Sequence, residues 1–234
     1  MARNHGTAGR NAREMAKRRY IKLAVYASIL FLIAIIWFFN FNKITKLGLP
    51  AILVLSFVVI QGADHIEKKG LWTKKRAKDA DRGAHAEEVV ADKLKDLPDS
   101  YHAFHDITFD GFNLDHVIVG PGGIFVVETK SHSGEVDSKG DTLLLNGKPP
   151  PKNFLNQAWS QTYQLRDFIY SKTSRKWEVI PVLCFTRAYV KVRQPVKGIE
   201  VVSGKYLVPH FSKQKQTLSL AEIEVVTRVL QDKC

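Results

Sequence analysis

Cysteine is scarce. Cys184 and Cys234 are the only two in 234 residues, and no CxxC or His/Cys cluster occurs. A zinc site of the usual clustered kind has nothing to build on. A disulfide framework is also disfavoured, which suits a reducing compartment. The chain lacks an internal repeat and a low-complexity tract. It lacks a small-residue cleavage site after its first apolar stretch, where Trp37-Phe38-Phe39 stands instead. That stretch is also too long for a typical signal peptide, so it reads as retained.

One charge imbalance is present, and its location matters. The formal net charge is +12. Residues 1–82 carry 16 of the 35 Lys and Arg and 5 of the 23 Asp and Glu, a net of +11. Residues 83–234 carry the other 19 and 18, a net of +1. The basicity therefore gives no support to a nucleic-acid-binding surface on the larger part of the chain.

Ile21 to Phe39 is almost unbroken hydrocarbon, long enough for a membrane-spanning helix. Leu47 to Ile60 is a second, shorter run; counted from Ile44 it is near the lower limit for a span. A second span is the favoured reading, with a buried or interfacial helix as the alternative. Seven cationic residues precede or open the first run, two lie in the connector Asn40–Lys46, and seven follow between Lys68 and Arg82. This bias predicts a hairpin of two spans with both ends in the cytosol, a multi-pass protein of the cell's inner membrane. The expected division is a basic segment 1–20, two spans within 21–60, a basic linker 61–82, a domain over 83–200 and a β/α extension over 201–234. The bilayer is the first expected partner, and the basic linker should attract anionic lipid.

From Gly83 the pattern is that of one globular domain. A helix is expected over Gly83–Leu97, with Glu87 on its apolar stripe. Strands are expected at His102–Phe109, Leu114–Val119 and Ile124–Lys130, with a short strand pair in Glu135–Leu145. A helix over Asn153–Tyr170 precedes an apolar strand at Val179–Thr186. Gly198–Val202 and Lys205–Val208 read as edge strands, and Ser219-Leu-Ala-Glu222 as a capping box ahead of a last helix. The order predicts an α/β domain, a mixed sheet flanked by helices.

Period two in the third strand puts Glu128 and Lys130 on one face, and in the strand before it Asp115 can converge with Glu128. Carboxylates at the end of apolar strands are costly unless partnered. A divalent cation is one partner, and Mg²⁺ favours one or two carboxylates plus water and phosphate oxygens. A plain Glu128–Lys130 salt bridge is the other. Glu87 could complete the site. His116 reads as a packing residue, His85, His102 and His105 as surface residues, and Gln157 as either a site residue or part of a solvated face with Gln161.

The run from Asn113 through Asp115 and the Gly120-Pro-Gly-Gly turn to Glu128-Thr-Lys130 resembles the core of the NERD (nuclease-related) domain. So do Gly83-x-x-Ala-Glu87, Gly134, Asn153-x-x-x-Gln157 and the strand 179–186 followed by Val-Lys-Val at 190–192. That family is placed among PD-(D/E)XK nucleases, which implies a restriction-endonuclease-like fold. The resemblance implies Asp115, Glu128 and the Thr129 carbonyl as ligands of Mg²⁺ or Mn²⁺. It implies Lys130 as the catalytic lysine, with Glu87 and Gln157 in support. Leu114 stands where the superfamily name has proline. The function expected is hydrolysis of DNA or RNA at the membrane. The alternative is a catalytically silent module of the same fold that binds nucleic acid or protein.

Overall fold

The computed structural model describes residues 1–44 and 49–233. The chain forms two compact units. One is Met1–Asn11 together with Arg82–Cys234, and the other is Ala12–Asp81.

Most of helix α1 (Arg10–Ile44) and the first part of α2 (Leu49–Leu94) make up the second unit. Phe31, Leu32, Ile36, Phe38 and Phe39 of α1 are all exposed. Among the described residues one helix, Arg10–Asn40, is long and apolar enough to cross a membrane. Residues 45–48, in the expected connector and at the start of the second apolar run, lie outside the described residues, as does Cys234. The hairpin is therefore not established. The basic stretch Lys68–Arg82 is helical, continuous with the helix expected from Gly83. Two of its cations have local partners: Lys68 pairs with Asp64 at 2.7 Å, and the Arg76 guanidinium lies 4.5 Å from the Trp72 ring centre.

The first unit is built on a seven-stranded mixed sheet. Its strands are β1 (Arg3–Gly6), β2 (His102–Phe109), β3 (Phe112–Gly120), β4 (Gly123–Lys139), β5 (Thr142–Leu145), β6 (Val179–Val190) and β7 (Glu200–Ser203). They lie in the order β1-β2-β3-β4-β6-β7, with β5 paired to β4. The β2-β3-β4 meander is antiparallel, while β1, β6 and β7 join in parallel. Helices α3 (Phe154–Thr173), α4 (Leu207–Ser212) and α5 (Leu220–Gln231) complete the unit.

Alternation along β4 sorts the core. Ile124 and Val126 pack with Leu165 and Ile169 of α3 and with Val226 of α5. Phe125 and Val127 pack with Val90 and Leu94 of α2 and with Phe211 of α4. Phe104, Phe125, Phe185 and Phe211 are fully buried, each contributing about 1.5–3 kcal/mol of transfer free energy. The capping box is present, with Ser219 Oγ accepting from the Glu222 N–H and the Glu222 carboxylate from the Ser219 N–H.

Three expectations change. Lys205–Val208 is not a strand: Leu207 and Phe211 sit one turn apart on α4 and are both buried, a spacing that only a helix satisfies. His102 and His105 are not surface residues, although His85 is. The reason is β1, which lies against β2 and covers what would otherwise be the sheet edge. Finally, the expected third strand runs on through residues 131–139 to pair with β5 and β6.

Candidate active site

The site begins with a tight turn. Gly120 pairs with Gly123 across the β3–β4 hairpin, and a Cβ on Gly120 would stand 2.1 Å from the Tyr101 ring. Glycine is thus required where the backbone meets that ring. The turn fixes the register, and the ladder runs up to His116 opposite Val127. Asp115 and Glu128 are the next residues along, where the β3–β4 pairing stops. There the Asp115 side chain replaces a strand partner: its Oδ2 accepts from the Thr129 N–H at 2.8 Å. The carboxylate fills the opening between two diverging strands, while β4 stays paired to β6.

Glu128 is buried and faces α3. Its Oε1 accepts from Lys130 Nζ at 2.5 Å and from Gln157 Nε2 at 2.6 Å. Its Oε2 accepts from Gln161 Nε2 at 2.6 Å. Lys130 Nζ also donates to Gln157 Oε1 at 3.0 Å and lies 4.6 Å from the Phe154 ring centre. The ammonium is held between carboxylate, amide and ring. The α3 residues reach β4 because Gln157 and Gln161 are one turn apart on the face that also buries Leu165. Asn153 caps that helix, accepting from the Asn156 N–H at 3.0 Å.

Three carboxylates act on one another. Burial first, then the charges of Asp106 and Glu128, push Glu87 up to about 8, against a backbone hydrogen bond from Gly9. Burial, then Glu128 and Glu87, push Asp115 well above the carboxylate range, against the Thr129 N–H and Lys130. One lysine does not balance this group.

The sequence-derived site residues are thus brought together. Glu87, Asp115, Glu128 and Lys130 interact, and Gln157 is bonded to both Glu128 and Lys130. Thr129 contributes its backbone. Its side chain lies on the other face of β4, with a buried Oγ1 that has no hydrogen-bond partner. His116 is fully buried on that other face, as expected. Two site residues were missed. In sequence Gln161 reads as part of a solvated face, yet it is buried and also donates to the Asn113 carbonyl at 3.2 Å. Its spacing of four from Gln157, next to Leu165, was a usable signal. Asp106, buried at a φ of 54°, was marked only by being an acid inside an apolar strand.

Among the described residues no group of three His, Cys, Asp or Glu side chains stands in metal-holding geometry. The donor set on offer is the Asp115 and Glu128 carboxylates with the Thr129 carbonyl. Mg²⁺ takes one or two carboxylates and keeps several waters, so this chemistry fits Mg²⁺ or Mn²⁺. The mutual repulsion of the buried carboxylates is what a cation would relieve.

A pair of strand-borne carboxylates and a Glu-x-Lys, held by glutamines from the next helix, define the candidate site on an α/β sheet. Residues 82–186 match the family model NERD, the nuclease-related domain. The general class is the PD-(D/E)XK nucleases, which generally use divalent metals. No curated protein and no solved structure matches the chain.

Proposed function

We propose that the chain is a membrane-anchored nuclease that hydrolyses phosphodiester bonds of DNA or RNA with Mg²⁺ or Mn²⁺. The observation that carries this is the convergence of Lys130, Gln157 and Gln161 on buried Glu128, beside a second desolvated carboxylate, Asp115. A structural ion pair has no need of that second acid, which only raises its cost.

In this reading Asp115, Glu128 and the Thr129 carbonyl hold the cation. When bound, it supplies Lewis acidity and an activated water. Gln157 and Gln161 fix the Glu128 carboxylate through both oxygens. Lys130, restrained by Glu128 and Gln157, orients the attacking water and neutralises charge developing on the phosphoryl oxygens. Glu87 completes the site from α2.

The anchor reading gains one physical argument. Met1–Asn11 and Arg82–Cys234 form one folded unit, with β1 paired to β2, so both must lie on one side of a bilayer. If the apolar helix within Ala12–Asp81 crosses the bilayer, the chain must cross back, which favours two crossings over one. The Lys/Arg bias places that side in the cytosol, at the inner membrane. A label on a cysteine introduced at Lys43 should be reached from outside the cell, and a reporter after Cys234 from the cytosol. The same accessibility for both would refute the hairpin.

A catalytically silent module binding nucleic acid or protein is favoured by the near-neutral charge of residues 83–234, since phosphate-backbone binding normally draws on a basic groove. One assay separates the two. Full-length protein in detergent, supplied with Mg²⁺ or Mn²⁺, should cleave labelled DNA or RNA, and Lys130→Ala should not. Absence of cleavage by the wild type on both polymers would favour the silent module.

A further inference from the structure

The nuclease-related match begins at residue 82, and it assigns nothing to residues 1–11. Yet that segment is woven into the domain. The Ala2 N–H donates to the Lys95 carbonyl at 3.2 Å and the Arg3 N–H to the Tyr101 carbonyl at 3.0 Å. Strand β1 then pairs with β2 along its whole length.

The segment ends at Asn11, in the first turn of α1. The Asn11 backbone N–H donates to Asp106 Oδ2 at 2.7 Å. Its Nδ2 donates to Asp106 Oδ1 at 2.8 Å, Thr108 Oγ1 at 2.8 Å and Asn113 Oδ1 at 3.0 Å. Asn113 Nδ2 returns a hydrogen bond to Asp106 Oδ1 at 2.8 Å. Asp106 has a left-handed backbone, uncommon for a residue other than glycine, and these donors hold it there. Asn113 in turn accepts at its carbonyl from Gln161, and Gln161 holds Glu128. Two residues earlier, Gly9 makes a backbone hydrogen bond to the Glu87 carboxylate. Gly9 has a φ of +74°, and a Cβ there would meet the Ala84 carbonyl oxygen at 2.8 Å. Only glycine allows the arm so close to the helix one turn before Glu87.

We infer that Asn11 is a positioning residue: through Asp106, Asn113 and Gln161 it sets the Glu128 carboxylate, and the arm carrying it is part of the active site. This rests on the nuclease reading for its catalytic consequence, but not for its structural one. The nuclease domain is then discontinuous in sequence, with the apolar helices inserted between the arm and the rest.

The test uses the full-length chain in detergent and compares Asn11→Ala with Ser219→Ala, which removes the cap of α5 and lowers stability far from Glu128. The ¹⁵N-detected side-chain amide resonance of Gln161 should shift in Asn11→Ala and stay at its wild-type position in Ser219→Ala. Cleavage by Asn11→Ala should show kcat reduced roughly tenfold to a hundredfold with KM for nucleic acid unchanged. Ser219→Ala should keep the wild-type kcat below its melting temperature. The double variant Asn11→Asp/Asp106→Asn, which exchanges donor and acceptor, should recover part of the resonance position. A shifted resonance in a protein that cleaves nothing supports the positioning role and refutes the hydrolytic reading. An unmoved Gln161 resonance, or a kcat for Asn11→Ala equal to that of Ser219→Ala, overturns the positioning role while leaving the nuclease reading intact.

Discussion

Two polar groups sit at the β3–β4 pair, and desolvation acts on them in opposite directions. One is Asp115 of β3 with Glu87, which α2 brings near it; the other is His105 of β2 with His116 of β3. Burial pushes His105 down to about 4 and His116 well below the usual imidazole range. The histidines close on each other: His105 Nδ1 meets His116 Nδ1 at 2.9 Å, and His105 Nε2 meets Asn4 Oδ1 at 2.9 Å. Asn4 Nδ2 donates to the Ala2 carbonyl, which fixes the amide orientation. His105 therefore donates from Nε2 and accepts at Nδ1, and His116 donates from Nδ1. Both rings are neutral, and His116 Nε2 is buried without a hydrogen-bond partner. The carboxylates are hydrogen-bonded too, Asp115 by the Thr129 N–H and Glu128 by Lys130, Gln157 and Gln161, but they carry like charges that repel one another and are offset by Lys130. The histidine pair is packing; in the reading proposed above, the carboxylate group takes a cation.

The largest effect expected from this difference is catalytic. Lys130→Ala should lower cleavage by about 10²–10³, the usual cost of one group that stabilises developing charge. His105→Gln should keep the divalent-ion dependence of the wild type, as measured by cleavage against Mn²⁺ concentration.

The next effect is on stability in base. An acid raised in the folded state binds its proton more tightly there than when unfolded. For Glu87 the penalty is absent below the ordinary 4.5 and grows as pH rises towards about 8. At about 1.4 kcal/mol per unit, its upper bound is on the order of a few kcal/mol. Melting temperatures of ion-free protein should fall over that window, and Glu87→Gln should flatten the fall. Saturating Mn²⁺ should reverse it.

The histidines give the opposite limb. A lowered His pKa means that the unfolded chain takes up the proton first. Stability is full above 6.5 and is lost as pH falls towards about 4, by roughly 3 kcal/mol or less for His105. His105→Gln should flatten only this acid limb. The smallest effect belongs to neither group: Ser219→Ala should cost about 1 kcal/mol through loss of the α5 cap, with both limbs unchanged.

Much of this comparison was legible in the sequence. The β2-β3-β4 meander, the Gly-rich turn, the α3 face and the pairing of Asp115 with Glu128 follow from period two, turn chemistry and helical spacing. What was not legible is long-range. Residues 3–6 carry too little pattern to announce a strand, and their partner is about a hundred residues away. Without β1, His102 and His105 read as the outer edge of the sheet. Asp106 and Asn11 could not be linked for the same reason. Gln161 was missed because a glutamine beside other glutamines looks solvated until its partner, Glu128, is known to face it. Leu207–Ser212 was too short for periodicity to separate helix from strand.

The most direct test of the contrast is a calorimetric titration of full-length protein with Mn²⁺ at pH 7. Binding should be retained in His105→Gln and lost in Asp115→Asn, which keeps the acceptor for the Thr129 N–H but removes the charge. Equal binding in the two variants, or no binding by the wild type, would contradict the assignment of the carboxylate group as a cation site.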